Sequence, residues 1–115
     1  MTTQLYHNPR CSKSRQALQL LRDRGIEPEI IEYLKTPPDH ETLERLLDQL
    51  GVEPRELMRT KEKEYREAGL GDPTLSRSQL IDGMVRYPKL IERPILIKNG
   101  QAAIGRPPER ILELV

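Results

Sequence analysis

The sequence predicts an α/β fold, a three-layer arrangement with a small mixed sheet in the order βαβ, helices, ββα. Three observations predict it. A strand, a helix and a second strand follow one another within about 30 residues at the start. A Leu-rich stretch with helical spacing fills the middle. Two short strands flank Asn99-Gly100 near the end, and a last helix follows.

The elements follow in chain order. Gln4-Leu5-Tyr6 is a short strand-like run, and Pro9 limits its continuation. Ala17, Leu18 and Leu21 then recur at i, i+3/i+4 spacing, which predicts a helix after Cys11. Ser12 or Ser14 is expected to cap it, and Gly25 is suited to close it. Glu29-Ile30-Ile31-Glu32-Tyr33 reads as the second strand. Two strands joined through a helix are expected to run parallel. Thr36-Pro37-Pro38 breaks the chain, and Asp39 is a plausible N-cap for a helix that places Leu43, Leu46, Leu47 and Leu50 on one face before Gly51. Pro54 starts a short helical turn through Arg59. Residues 60–75 are polar and poorly periodic. Ser76-Arg77-Ser78-Gln79 has the capping-box pattern ahead of Leu80, Ile81, Met84 and Val85, and Pro88 stops that helix. Residues 36–88 are thus expected to form a helical insertion within a single domain spanning 1–115. Ile95–Lys98 and Gln101–Ile104 are predicted strands around Asn99-Gly100, the strongest short hairpin signal. Gly105-Arg106-Pro107-Pro108 opens the last helix, whose apolar face is Ile111, Leu112 and Val115. This order is the thioredoxin-like plan with helices inserted in its middle.

Composition narrows the function classes. The 115 residues carry 19 Lys and Arg against 18 Asp and Glu, so no global charge favours nucleic acid or membrane. No apolar run approaches the roughly 20 residues of a membrane span. The N-terminus has neither a basic n-region nor an apolar h-region, so no signal peptide is expected. Cys11 is the only cysteine and has no internal disulfide partner. A free thiol suits a reducing compartment, and a cytoplasmic location is expected.

The chemistry is expected to centre on Cys11. A free cysteine is often a small packing residue, but the surroundings here argue otherwise. His7, Arg10, Lys13 and Arg15 flank it, and no acid lies between His7 and Arg22. A thiol at a helix N-terminus among cations should have a lowered pKa and react as the thiolate. Cys11-Ser12-Lys13-Ser14 is a C-x-x-C frame with Ser in the second place. Any redox cycle must therefore borrow a second thiol from glutathione or a protein. His7 is positioned to donate to the sulfur or to a bound anion, and the Ser14 hydroxyl to donate to the thiolate. Arg59 ends a short helical stretch. Arg93 precedes Pro94, where the thioredoxin-like plan places a cis proline facing the catalytic cysteine. Arg106 is held between Gly105 and Pro107. Guanidinium forks at such rigid points suit a tetrahedral oxyanion. The two histidines, His7 and His40, and the lone cysteine show no metal-ligand spacing. Lys61-Glu62-Lys63-Glu64 reads as a solvated face.

Several motifs carry a family resemblance. They are His7-Asn8-Pro9-x-Cys11 with Ser14-Arg15, Tyr33-Leu34-x-Thr36-Pro37-Pro38, Arg55-Glu56-Leu57-Met58-Arg59, Leu80-Ile81-Asp82, Pro88-x-Leu90-Ile91-x-Arg93-Pro94-Ile95 and Gly105-Arg106-Pro107. Together, and in this order, they resemble the glutaredoxin-coupled arsenate reductases of the ArsC type, most closely their short branch. The resemblance implies Cys11 as nucleophile, His7 and Ser14 tuning its thiolate, and Arg59, Arg93 and Arg106 binding the oxyanion. It implies arsenate as substrate, no bound cofactor, glutathione as co-substrate and glutaredoxin as partner. Two departures stand out. The chain ends at Val115 where the best-known members carry a longer tail, and Arg10 replaces a small residue before the cysteine. Two other functions fit the same plan. One is an Spx-like redox-sensing transcription regulator, although Ser14 removes its usual second cysteine. The other is a monothiol glutathione-dependent thiol–disulfide exchanger.

Overall fold

The computed structural model describes residues 3–115. The chain divides into two compact units. Residues up to Thr36 and Arg93–Val115 form the first, and Pro37–Glu92 form the second.

The first unit holds a four-stranded mixed sheet in the order β2-β1-β3-β4. Its strands are β1 (Thr3–Tyr6), β2 (Glu29–Ile31), β3 (Ile95–Lys98) and β4 (Gln101–Ile104). As the connecting helix requires, β1 and β2 are parallel, with Leu5 opposite Ile30. β3 runs antiparallel to β1, with Leu5 opposite Leu96, and β4 returns antiparallel to β3. Asn99 and Gly100 both take positive φ, 54° and 77°, as a two-residue hairpin turn demands. Helix α1 (Ser12–Asp23) lies between β1 and β2 in sequence. It buries Ala17, Leu18 and Leu21 against Leu5, Leu96 and Ile111, so α1 and the C-terminal 3₁₀ segment Pro108–Leu114 share one core with the sheet. Each of the fully buried leucines, Leu5, Leu21 and Leu96, contributes about 1.5–3 kcal/mol of transfer free energy. Tyr6 alternates to the opposite face from Leu5 and stacks on Tyr33, with ring centroids 6.4 Å apart.

The second unit is helical. It contains α2 (His40–Leu50), α3 (Lys63–Glu67), α4 (Arg77–Arg86) and two short 3₁₀ turns, Pro54–Leu57 and Pro88–Leu90. The Asp39 side chain accepts the Thr42 N–H at 2.8 Å, and Gly51 closes α2 at φ 69°. Ser76 and Gln79 form the reciprocal capping box that starts α4. Leu43, Leu46 and Leu47 of α2 and Leu80, Ile81 and Met84 of α4 are buried. Arg77 joins the two helices through ion pairs to Glu44 at 3.2 Å and Asp48 at 3.5 Å.

Four elements differ from expectation. β2 stops at Ile31 rather than Tyr33, because the Glu32 carbonyl takes the N–H groups of Lys35 and Thr36 and turns the chain. α3 forms inside the stretch read as non-periodic; it has no buried residue, so no apolar stripe announces it. Pro88 does stop α4, but it also opens a 3₁₀ turn. The closing helix is 3₁₀ along its whole described length. Among the described residues no helix is long and apolar enough to cross a membrane.

Candidate active site

Cys11 stands where β1 hands over to α1. It is the N-cap residue of α1, in extended conformation (φ −95°, ψ 122°), which corrects the expectation that Ser12 or Ser14 would take that role. The loop before it is pinned by Asn8, whose place in the His7-Asn8-Pro9 motif carried no assigned role. The Asn8 carbonyl accepts the Cys11 N–H at 2.9 Å and its Oδ1 accepts the Arg10 N–H at 3.0 Å. Its own N–H donates to Ser14 Oγ at 3.3 Å. The His-Asn-Pro turn was the available signal, since asparagine commonly closes such turns on the backbone two residues on. Arg15 ties the other end by donating from Nη1 to the Pro9 carbonyl at 2.9 Å.

Burial raises the Cys11 pKa, but the opposing influences win and hold it below its ordinary value. Those are the Ser14 N–H, a hydrogen bond from the Arg93 side chain, the Lys13 N–H and the positive charge of Arg93. The two N–H groups act from the helix start, although the side chain makes no fully formed capping bond. This is the helix N-terminal stabilisation of a thiolate, reinforced by a guanidinium. Ser14 reaches the sulfur through its backbone N–H, while its buried hydroxyl oxygen accepts the Asn8 N–H.

Arg93 comes from the segment just before β3, ahead of the cis Arg93–Pro94 bond. Its side chain is half-buried, and its Nε is buried without a partner. Arg106 sits at the other end of the hairpin, before a second cis bond to Pro107. Its Nε donates to the Arg93 carbonyl at 2.9 Å, so the backbone of one arginine orients the side chain of the other. Gly105 makes this approach possible: a Cβ there would stand 2.7 Å from Pro94 Cγ and 3.1 Å from Ile111 Cγ2. The Gly105 N–H donates to the Pro94 carbonyl at 2.8 Å, which closes the turn.

This chain matches the ArsC family over residues 6–114. The chain belongs to the ArsC family. It is 48% identical over 108 residues to an arsenate reductase of Neisseria meningitidis serogroup A, covering 93% of this chain and 92% of that one. It is 57% identical over 112 residues to the uncharacterized protein YfgD of Escherichia coli strain K12, with 96% and 94% covered. A solved arsenate reductase from Vibrio cholerae superposes with a TM-score of 0.98 at 53% identity, over 100% of this chain and 98% of that one.

In this ArsC chain the remaining predicted residues fall as follows. His7 is 6% exposed at the end of β1; its N–H donates to the Ile31 carbonyl at 2.9 Å, and its Nδ1 has no partner. Burial lowers its pKa, Glu32 opposes that, and Arg22 and Arg15 add to it, so the imidazole is held neutral at pH 7. Arg59 belongs to the second unit. Its N–H donates to the Leu90 carbonyl at 2.6 Å and its Nε faces Glu62 at 3.3 Å, while Nη1 is buried without a partner. The contacts of the first unit therefore gather Cys11, the start of α1, Arg93 and Arg106, whereas those of Arg59 lie within the second. Among the described residues no group of three or more His, Cys, Asp or Glu is placed to hold a metal ion.

Proposed function

We propose that this protein reduces arsenate to arsenite in the cytoplasm, with Cys11 as nucleophile and with glutathione and a glutaredoxin supplying the reducing thiols. One observation carries the reading: the sole thiol lies at the start of α1 with the Ser14 N–H and the Arg93 side chain holding its pKa down against burial, in a chain whose relatives include arsenate reductases. Arg93 and Arg106 bind the tetrahedral oxyanion, the family resemblance adds Arg59 as an expected oxyanion ligand, and neutral His7 and Ser14 shape the loop that presents the sulfur.

The Cys11 thiolate attacks arsenic, an As–S bond forms and one oxygen leaves as water after protonation. The sulfur of glutathione then attacks Cys11 Sγ. A disulfide forms, the As–S pair stays on arsenic, and arsenic passes from As(V) to As(III) as arsenite. A glutaredoxin thiol takes the glutathione from Cys11 by disulfide exchange and restores the thiol. Ser14 stands where a dithiol site would carry its resolving cysteine, which is why the second thiol has to be external.

The test is arsenite formation from arsenate with glutathione and glutaredoxin, for the native chain and for Cys11→Ser. The native chain should produce arsenite in proportion to enzyme, and Cys11→Ser none. Equal rates for the two would end this reading.

A further inference from the structure

The loop that carries Cys11 also walls a groove that the steps above leave unused. It has a volume of about 250 Å³ and is lined by His7, Asn8, Arg10, Glu32, Leu34 and Lys35 together with Pro9. The groove and the nucleophile share one piece of backbone, since the Asn8 carbonyl holds the Cys11 N–H. Its chemistry is mixed in a particular way. Arg10 and Lys35 are exposed cations, and Glu32 is a half-buried carboxylate whose Oε1 lies 3.6 Å from Lys35 Nζ. Leu34 is 46% exposed, one of two large apolar side chains that are exposed among the described residues. His7, nine-tenths buried, also lines the groove. A ligand complementary to this lining has carboxylates for the two cations, an ammonium for Glu32 and an apolar stem for Leu34. It is small, because the groove lies at the lower edge of the range of small-molecule sites, about 300–1,000 Å³.

Cys11 also needs an external thiol delivered to its sulfur, because residue 14 is serine. Glutathione meets both requirements: a tripeptide thiol with two carboxylates, one ammonium and two amides. We propose that the His7–Arg10 loop, Glu32, Leu34 and Lys35 form the glutathione subsite of this enzyme. This rests on the reading of Cys11 as a glutathione-reduced nucleophile. Arg10 and Lys35 hold the carboxylates, Glu32 holds the ammonium, and the tripeptide thiol is presented along the wall that ends at Cys11. Its sulfur forms the disulfide with Cys11 Sγ while the As–S pair remains on arsenic, as written above.

Amide chemical shifts of the full chain, titrated with S-methylglutathione, test this directly, because the probe binds without reacting. Shifts should concentrate at Asn8, Arg10, Glu32, Leu34 and Lys35, and glutathione dimethyl ester, which lacks both carboxylates, should bind more weakly. Arg10→Glu with Lys35→Glu replaces two attractive contacts by repulsive ones and should weaken the probe about tenfold. The same pair should raise KM for glutathione by a similar factor, with the loss falling in KM rather than kcat. Lys63→Glu, a charge change on α3, should leave that KM as in the native chain. Both substituted groove residues are exposed, and the urea midpoint of the double variant checks that it is folded. Absent or scattered shifts, or an unchanged KM for glutathione, would overturn the subsite. So would a defect seen only in the glutaredoxin step, which would make the groove a protein-docking surface. The two readings fail separately. A groove that binds the probe in a chain making no arsenite keeps the subsite and loses the arsenate chemistry. Normal arsenite formation with an unresponsive groove does the reverse.

Discussion

Arg93→Ala separates the electrostatics of Cys11 from its position on α1. The substitution removes one hydrogen bond to the sulfur and one nearby positive charge, and both of these lower the thiol pKa. It leaves the Ser14 and Lys13 N–H groups in place, and it leaves Arg106 anchored, because Arg106 bonds the Arg93 carbonyl rather than its side chain. A hydrogen bond to a charged group is worth about 1.5–3 kcal/mol, and with Cys11 only half-buried the lower end applies, which corresponds to roughly a tenfold smaller thiolate fraction below both midpoints. The more basic thiolate is intrinsically the better nucleophile, by roughly threefold for a Brønsted slope of about 0.4–0.5. Reaction with a small aromatic disulfide should therefore be about threefold slower for the variant at low pH and about threefold faster at high pH. The assay is the pH profile of that reaction. The two curves should cross, with the variant's midpoint at higher pH. Superimposable profiles would refute the assignment of Arg93 to the sulfur.

Gly105→Ala would press a methyl group to 2.7 Å from Pro94 Cγ and 3.1 Å from Ile111 Cγ2, so the chain should lose about 1–3 kcal/mol in urea denaturation. Ser14→Ala should cost about 1 kcal/mol by the same measure, since it strands the half-buried Asn8 N–H, while the Cys11 pH profile shifts little because Ser14 acts on the sulfur through its backbone. His7 titrates below its ordinary value of 6.5 in the folded chain, so the unfolded chain binds the extra proton first and stability should fall as pH drops from about 6.5 toward the folded midpoint. Replacing His7 with Gln should flatten that part of the stability curve.

The fold was legible wherever one face of an element is buried or a cap is chemical. Leu43, Leu46 and Leu47 outline α2, Asp39 and Ser76 mark helix starts, and Asn99-Gly100 marks the hairpin, each through a signal carried by adjacent residues. α3 escaped because a five-residue helix with nothing buried has no pattern to read. The end of β2 escaped because a single carbonyl, that of Glu32, decides it. The site was legible in part. Cys11 at a helix start follows from local sequence, but the bond between the Asn8 N–H and Ser14 Oγ, six residues apart, carries no local pattern. The contact from Arg93 to Cys11 spans most of the chain and was approached only through the thioredoxin-like plan. The bond from Arg106 to the Arg93 carbonyl and the close packing of Gly105 on Pro94 join residues that no local pattern pairs.

In the proposed reaction Cys11 passes from arsenic to glutathione. The direct measurement is intact mass of the protein after incubation with arsenate and glutathione, with glutaredoxin omitted and arsenite quantified in the same sample. One glutathione per chain, located on Cys11, is expected together with one equivalent of arsenite, and neither product when arsenate is left out. Glutathione on Cys11 to the same extent without arsenate, or an unmodified Cys11 beside released arsenite, would contradict it.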